Sequence, residues 1–197
     1  LEKIFTCTFR LANAKGFQAM SLRDLSRETG ISMGGLYAYI GSKDDLAAAI
    51  EEVLRQAIDD VMSDQAVISL NRVNRLKAII YGDIYMNEIM HPWYYFCYLE
   101  AKGLSHEQRE AAMQMELKFD ERLRDTFQAG VAAGIFAADK IALLAANTTS
   151  MLQQWYLKRW KFQLLGVRTD DYAAFVFETT LRNLTDAKGF WVAEQNF

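Results

Sequence analysis

The side chains best suited to chemistry in this 197-residue chain lie between positions 21 and 43. Arg23 and Lys43 carry positive charges near the expected starts of helices, where backbone N–H groups also attract phosphate. Tyr37 and Tyr39 offer hydroxyls to phosphate, and rings to sugars or thymine methyl groups. Proteins bind the backbone and base edges of DNA with groups of these types, so the segment favours DNA recognition.

Two short helices joined by a tight turn must position these side chains. Ser21 is a good N-cap for the first helix, and Gly30 ends it, because glycine adopts left-handed backbone without steric penalty. Ser32 caps a second helix, whose inner face is Leu36 and Ile40. The pattern predicts a helix-turn-helix, whose second helix enters a DNA major groove.

An ordinary helical hairpin inside an all-α core is the alternative. The second helix begins with Met33, Gly34 and Gly35, and each glycine costs roughly 1 kcal/mol relative to alanine in a helix interior. Such a helix is a poor scaffold, but it lets its backbone approach a partner closely. The candidate DNA-binding residues are Ser21, Arg23, Ser32, Met33, Gly34, Gly35, Tyr37, Tyr39 and Lys43.

The net charge of −3 gives the weakest support for this interpretation. Residues 1–46 hold six basic and five acidic residues, whereas residues 47–197 hold sixteen and twenty. The amino-terminal segment is therefore only mildly basic, although two copies in a dimer double the basic patch.

The rest of the chain predicts further helices, because it contains one proline, and about half of all residues are apolar. We expect an all-α fold: a three-helix head over 1–46, and a larger helical domain over 47–197 that a fourth helix, ending near Met62, joins to the head. Single long helices are predicted over 139–162 and from Thr169 onward. The aromatic tail, with Phe190, Trp191 and Phe197, receives no assignment.

The segment from Ile4 to Leu46 resembles the DNA-binding domain of the TetR family of bacterial transcription regulators. In the resemblance, S-L-R-D-L-S-R-E-T-G is the second helix and I-S-M-G-G-L-Y-A-Y-I is the recognition helix. The matching positions are Gly30, Ile31, Ser32, Met33, Gly34, Gly35, Leu36, Tyr37, Tyr39, Lys43 and Leu46. Ile40 stands where the family often has Phe, and it keeps the apolar role.

The resemblance implies a regulator of the repressor type, released from a palindromic operator by a small apolar or amphipathic effector. It also implies a homodimer formed through the last two long helices, with the fourth helix as the lever between ligand and DNA. The candidate pocket residues are Tyr81, Tyr85, Trp93, Phe96, Cys97, Met115, Phe119, Asn147 and Met151. Plain core packing remains the alternative for each of them.

An enzyme is not expected. Glu88 and His91 have the Glu-x-x-His spacing of a di-iron bundle, but that site needs a second such motif, which the chain lacks. We expect no catalytic residues, no metal and no cofactor. The alternative function is a helical small-molecule carrier or sensing module whose head binds protein and not DNA.

Two lone cysteines, Cys7 and Cys97, fit a reducing cytoplasm. No apolar run reaches the roughly 18 residues that a membrane span needs, and the amino end lacks the pattern of a secretory signal. Because the sequence starts at Leu1 without Met, we expect a short segment to precede it.

Overall fold

The structure, a computed structural model, describes residues 1–100 and 106–185, which form α-helices and no β-strand. The predicted all-α fold is confirmed. The aromatic tail lies outside the described residues. In chain order the helices are α1 (Glu2–Lys15), α2 (Leu22–Thr29), α3 (Met33–Tyr37), α4 (Lys43–Met62), α5 (Gln65–Ile68), α6 (Arg72–Ile89), α7 (His91–Glu100), α8 (His106–Ala132), α9 (Ile141–Leu157), α10 (Arg159–Leu164) and α11 (Thr169–Thr185).

The described residues divide into two compact units. Unit 1 contains residues 1–57 and 90–115, and unit 2 contains residues 58–89 and those from 116 onward. Unit 1 therefore includes the helix-turn-helix segment together with α7, which comes much later in the chain. The division into functional domains at residue 46 stays a prediction.

Aromatic side chains hold α7 against the first helix of unit 1. The ring of Trp93 meets that of Phe9 edge-on, with 4.6 Å between centroids. Phe96 also meets Phe9, at 5.7 Å and 65°, and it meets Phe17, just beyond the end of α1, at 5.0 Å and 87°. Edge-to-face pairs of this kind each contribute about 1 kcal/mol beyond the area that they bury.

The core of unit 2 lies where α6 packs against α9 and α11. Thr148 on α9 and Thr180 on α11 are fully buried and share a hydrogen bond of 3.2 Å between their hydroxyls. On α8, Leu123 and Phe127 are also fully buried.

The single helix predicted over 139–162 is wrong, because the chain breaks at Lys158 into α9 and α10. The break lets Phe162 fold back onto Trp155, with 5.3 Å between ring centroids, and onto Tyr172 at 4.5 Å. Seven residues of continuous helix would place two side chains about 10 Å apart along the axis. The ring cluster therefore requires the break.

Candidate functional site

A capping box fixes the start of α2. The Ser21 hydroxyl accepts the Asp24 N–H at 3.1 Å, and the Asp24 carboxylate accepts the Ser21 N–H at 2.9 Å. Asp24 also pairs with Lys15 on α1 and with Arg27, each at 2.6 Å. The hydrogen bond from Lys15, followed by those from Ser21, holds the pKa of the Asp24 carboxyl well below its usual range.

The turn between α2 and α3 is closed by hydrogen bonds on both sides. Gly30 adopts φ 69°, the left-handed conformation that the sequence predicts there. The Ser26 hydroxyl donates to the Ile31 carbonyl at 2.6 Å, and the Ile31 N–H donates to the Thr29 hydroxyl at 3.2 Å. The Ser32 hydroxyl then accepts from the α3 backbone, so the predicted N-cap is confirmed.

Helix α3 is shorter than predicted, because it ends at Tyr37 and not near Ile40. The N–H groups of Tyr39 and Ile40 both donate to the Leu36 carbonyl at 2.9 Å, so the chain continues as a turn. Two glycines in five residues weaken helix propensity, and Ser42 already caps α4 through the Asp45 N–H at 3.0 Å.

The two glycines of α3 differ in what surrounds them. A Cβ at Gly35 would come within 2.9 Å of the Ile31 side chain, so the packing of the turn itself requires glycine there. A Cβ at Gly34 would meet nothing within 4 Å. Gly34 is therefore a position where the α3 backbone is left uncovered.

The nine candidate DNA-binding residues fall into two groups. Arg23, Gly34, Tyr37 and Tyr39 are exposed, the two tyrosines by 55% and 61%. Met33 is half-buried. The second group acts within the fold: Ser21 and Ser32 cap helices, and Gly35 packs in the turn.

Lys43 also has an internal role. Its ammonium donates to the Gln18 carbonyl at 3.0 Å and lies 4.9 Å from the centroid of the Phe17 ring. These contacts position the amine at the start of α4.

The predicted pocket residues are divided between the two units. Unit 1 holds Trp93, Phe96, Cys97 and Met115, and unit 2 holds Tyr81, Tyr85, Phe119, Asn147 and Met151. Burial also separates them, since Phe96, Cys97 and Phe119 are buried whereas Tyr85 and Asn147 are exposed.

Unit 2 contains a half-open cavity of about 430 Å³, which has the size of a small-molecule site. Its lining comes from the end of α6, the junction of α9 and α10, and the start of α11: Tyr85, Glu88, Trp155, Arg159, Phe162, Gln163, Val167, Arg168, Thr169 and Asp170. Of the nine predicted pocket residues, Tyr85 alone lines it. The other lining residues were missed, because the break at Lys158 and the fold of unit 2 bring them together.

Two polar clusters line this cavity. In the first, Glu88 accepts a hydrogen bond from Arg159 at 2.5 Å and another from the Trp155 indole N–H at 3.2 Å. In the second, Asp170 accepts the Tyr85 hydroxyl and lies 3.3 Å from the Arg168 guanidinium. The hydrogen bond to Asp170 raises the pKa of the Tyr85 hydroxyl.

One carboxyl in unit 1 stands apart from these paired groups. Glu51 on α4 is 9% exposed, and its Oε1 atom is buried without a hydrogen-bond partner. Burial raises the pKa of Glu51 to about 7. Burial, followed by the nearby Glu51 charge, also raises the pKa of the Cys97 thiol, which keeps it unreactive.

Within residues 1–100 and 106–185, no group of three or more His, Cys, Asp or Glu side chains is arranged to hold a metal ion. Every helix in those ranges is too short or too polar to cross a lipid bilayer.

Comparison with known proteins matches both parts of the chain to one family. Residues 4–50 match the model described as "Bacterial regulatory proteins, tetR family". Residues 69–184, more than half of the chain, match the model described as "Tetracyclin repressor-like, C-terminal domain".

Individual relatives are distant in sequence and close in fold. The HTH-type transcriptional regulator HbdR of Aromatoleum sp. (strain CIB) is 20% identical over 161 residues, which cover 82% of this chain and 70% of HbdR. The crystal structure of a tetR-family regulatory protein from Rhodococcus RHA1 has a TM-score of 0.82 at 20% identity, covering 93% of this chain and 96% of that one. The structure of AibR in complex with isovaleryl coenzyme A and operator DNA has a TM-score of 0.71 at 18% identity, covering 93% and 96%.

Proposed function

The chain belongs to the TetR family of bacterial regulatory proteins, and we propose that it is a repressor that leaves its operator when a small effector binds. It is a DNA-binding transcriptional regulator, as its family membership establishes. The proposal adds the direction of control, the palindromic operator, the residues that meet DNA, the dimer contact and the kind of effector.

DNA binding is supported chiefly by the exposure and the fixed geometry of the surface that α2 and α3 form. The capped ends and the closed turn hold α3 in one orientation. Around Gly34, where the backbone is uncovered, Arg23, Tyr37 and Tyr39 all point into solvent. A core hairpin would bury such a surface, whereas a major-groove reader needs it exposed.

We assign the contacts by chemistry. Arg23 and Met33 touch bases, Tyr37 and Lys43 hold phosphates, and Tyr39 does either. Because α3 starts with an apolar residue and two glycines, few side chains read bases directly. Groove shape and the spacing of half-sites then carry much of the sequence preference.

The dimer contact is assigned to α9 and α11. Helix α9 leaves Ala142, Leu143 and Ala146 exposed along one face, and Phe175 on α11 is 60% exposed. Apolar side chains in this number on two long helices are covered when a second copy packs against them. A two-fold dimer then reads two half-sites about 34–36 Å apart.

The effector is proposed to be amphipathic, with an apolar body and a charged or polar group. AibR, which has the same fold, was crystallised with isovaleryl coenzyme A, a ligand of that general kind. Binding shifts α4 and so the separation of the two recognition helices, by as much as the effector's affinity differs between the two states. Residues 1–46 thus bind DNA, and residues 47–197 bind the effector and the second copy.

We further propose that the protein works in the cytoplasm, where an operator is accessible, and that it catalyses no reaction. The alternative, a carrier whose head binds protein, makes a different use of α2 and α3. It predicts ligand binding without any DNA complex.

The test is a gel shift with DNA from upstream of the chain's own gene, using protein shown to be dimeric by analytical ultracentrifugation. The proposal expects a complex on a palindromic fragment whose two half-sites lie one helical turn apart, and a weaker complex when the spacing between them is changed by half a turn. If the dimer shifted no palindromic fragment, the repressor proposal would be contradicted and the carrier function would be favoured.

A further inference from the structure

The cavity in unit 2 has a lining that selects among amphipathic ligands. We propose that it is the effector site, and that its ligand is an aromatic carboxylate whose charge binds Arg159 and whose ring packs on Trp155 and Phe162. The inference rests on the proposed function, since it names where the effector binds and what it is.

The aromatic wall supports the ring. The planes of Trp155 and Phe162 lie 28° apart with 5.3 Å between centroids, and Trp155 and Tyr172 are stacked similarly at 5.0 Å. Trp155 is only 5% exposed, so its position is fixed by the surrounding fold. Trp155 and Phe162 both line the cavity, so an aromatic ligand can pack against rings that are already held in place, at little cost in conformational entropy.

The charged wall supports the carboxylate. Arg159 has five N–H donors in a fixed planar fork, and its recorded bond to Glu88 uses a single nitrogen. Its side chain is 31% exposed, so a ligand can reach the remaining donors. Arg168, 74% exposed at the rim, adds a second positive charge that attracts an anion.

The Glu88 side chain shows that a carboxylate fits between the Arg159 guanidinium and the Trp155 indole N–H. Its two oxygens accept from Arg159 and from the Trp155 indole N–H, one partner belonging to each wall. A ligand carboxylate needs the same donors beside the same rings. Glu88 therefore competes with an anionic ligand, and its removal should strengthen binding.

Glu88 lies close to the boundary between the two units. Glu88 lies in the last turn of α6, and the chain enters unit 1 at Met90. Helix α7 follows at once and packs on α1 through Trp93 and Phe9. A ligand that draws Arg159 away from Glu88 thus acts within one helical turn of the point where the chain enters unit 1.

The test uses isothermal titration of the dimer with three probes: 2-naphthoate, the neutral 2-naphthylmethanol and the aliphatic decanoate. We expect 2-naphthoate to bind at least about tenfold more tightly than either other probe, as one charge-assisted hydrogen bond together with stacking requires.

Two variants with opposite effects, and one control, locate the site. Arg159→Gln should lower the affinity for 2-naphthoate by about tenfold or more, and Glu88→Gln should raise that affinity by about threefold. Arg182→Gln, an exposed change toward the other end of α11, should leave binding unchanged. Melting temperature and operator binding check that each variant is folded.

Each outcome decides something. If decanoate binds as tightly as 2-naphthoate, the aromatic assignment is wrong. If Arg159→Gln and Glu88→Gln leave the affinity unchanged, or if wild-type protein that shifts its operator does not bind 2-naphthoate, the cavity assignment is overturned while the proposed function stands. A dimer that binds no operator overturns the proposed function, whatever the probes do.

Discussion

Two carboxylates on α4, eight positions apart, lie in opposite surroundings. Asp59, in unit 2, is bound by Arg122 at 2.5 Å and by Lys118 at 3.0 Å, both from α8. Glu51, in unit 1, is more deeply buried, and one of its oxygens has no hydrogen-bond partner.

The pKa values of the two groups move in opposite directions. Burial raises the pKa of Glu51 to about 7. Burial alone would also raise the pKa of Asp59, but hydrogen bonds from Arg122 and Lys118 outweigh it and lower that pKa. On α4, Asp59 is therefore paired with cations within unit 2, whereas Glu51 within unit 1 is buried with one oxygen that no hydrogen bond compensates. The two carboxylates give the two ends of α4 opposite responses to pH.

Glu51→Gln should have the largest effect on the free energy of unfolding. The pKa of Glu51 is about 7 in the folded protein and 4.5 in the unfolded chain. The free energy of unfolding of the wild type therefore falls as pH rises from 4.5 to 7, and it does not recover above pH 7. At pH 8 the variant should be more stable on the order of 2–3 kcal/mol, and at pH 4 nearly equal to wild type. Thermal melts across this range measure it.

Glu52→Gln is the matched control, because Glu52 is a 59% exposed neighbour that pairs with Arg55 on the same helix. It should change stability by less than about 0.5 kcal/mol. If Glu51→Gln gained the same stability at pH 4 and pH 8, the buried acid would not be the source of the difference between the two ends of α4.

Asp59→Ala comes next and acts in the opposite direction. It leaves Arg122, whose side chain is 24% exposed, without its carboxylate, and should cost about 1–2 kcal/mol at pH 7. Because the pKa of Asp59 is lowered, this cost should shrink as pH falls below 3.8. Urea unfolding at pH 7 and at about pH 2 checks it; a loss of the same size at both pH values would contradict the pairing.

Asp24→Asn should have the smallest effect of the three, since its partners Lys15 and Arg27 are exposed and stay hydrated when the charge pairing is removed. The ion pairs with Lys15 and Arg27 disappear, so the melting temperature should fall slightly at pH 7. The folded pKa of Asp24 is depressed far below 3.8, so the loss should begin to shrink as pH drops below 3.8 and vanish only in much stronger acid. A loss that persisted in acid would show that the capping box and not charge is what Asp24 supplies.

The local features of the helix-turn-helix could be predicted from sequence because each depends on neighbours in the chain. Ser21 and Ser32 each cap a helix by accepting the backbone N–H three residues further along, and Gly30 turns the backbone through its own left-handed conformation. Helix α4 was predicted to end near Met62, where it does end, since its apolar repeat is local.

The cavity could not be predicted, because its contacts join distant parts of the chain. Glu88 and Arg159 are separated by 71 positions, and Tyr85 and Asp170 by 85. The break that forms one wall depends on Tyr172, which lies beyond the helix that it interrupts. Apolar periodicity continues through Lys158 and so predicts one helix there.

The α2–α3 surface is tested most directly at Gly34. A side chain there meets open space, so Gly34→Glu should fold and dimerise as the wild type does. We expect this variant to bind the operator at least about 100-fold more weakly, because the new carboxylate faces the DNA backbone and bases. Ala48→Glu, an exposed change on α4, should retain most of the affinity. If Gly34→Glu bound the operator as tightly as the wild type in fluorescence anisotropy, α3 would not be the element that reads DNA.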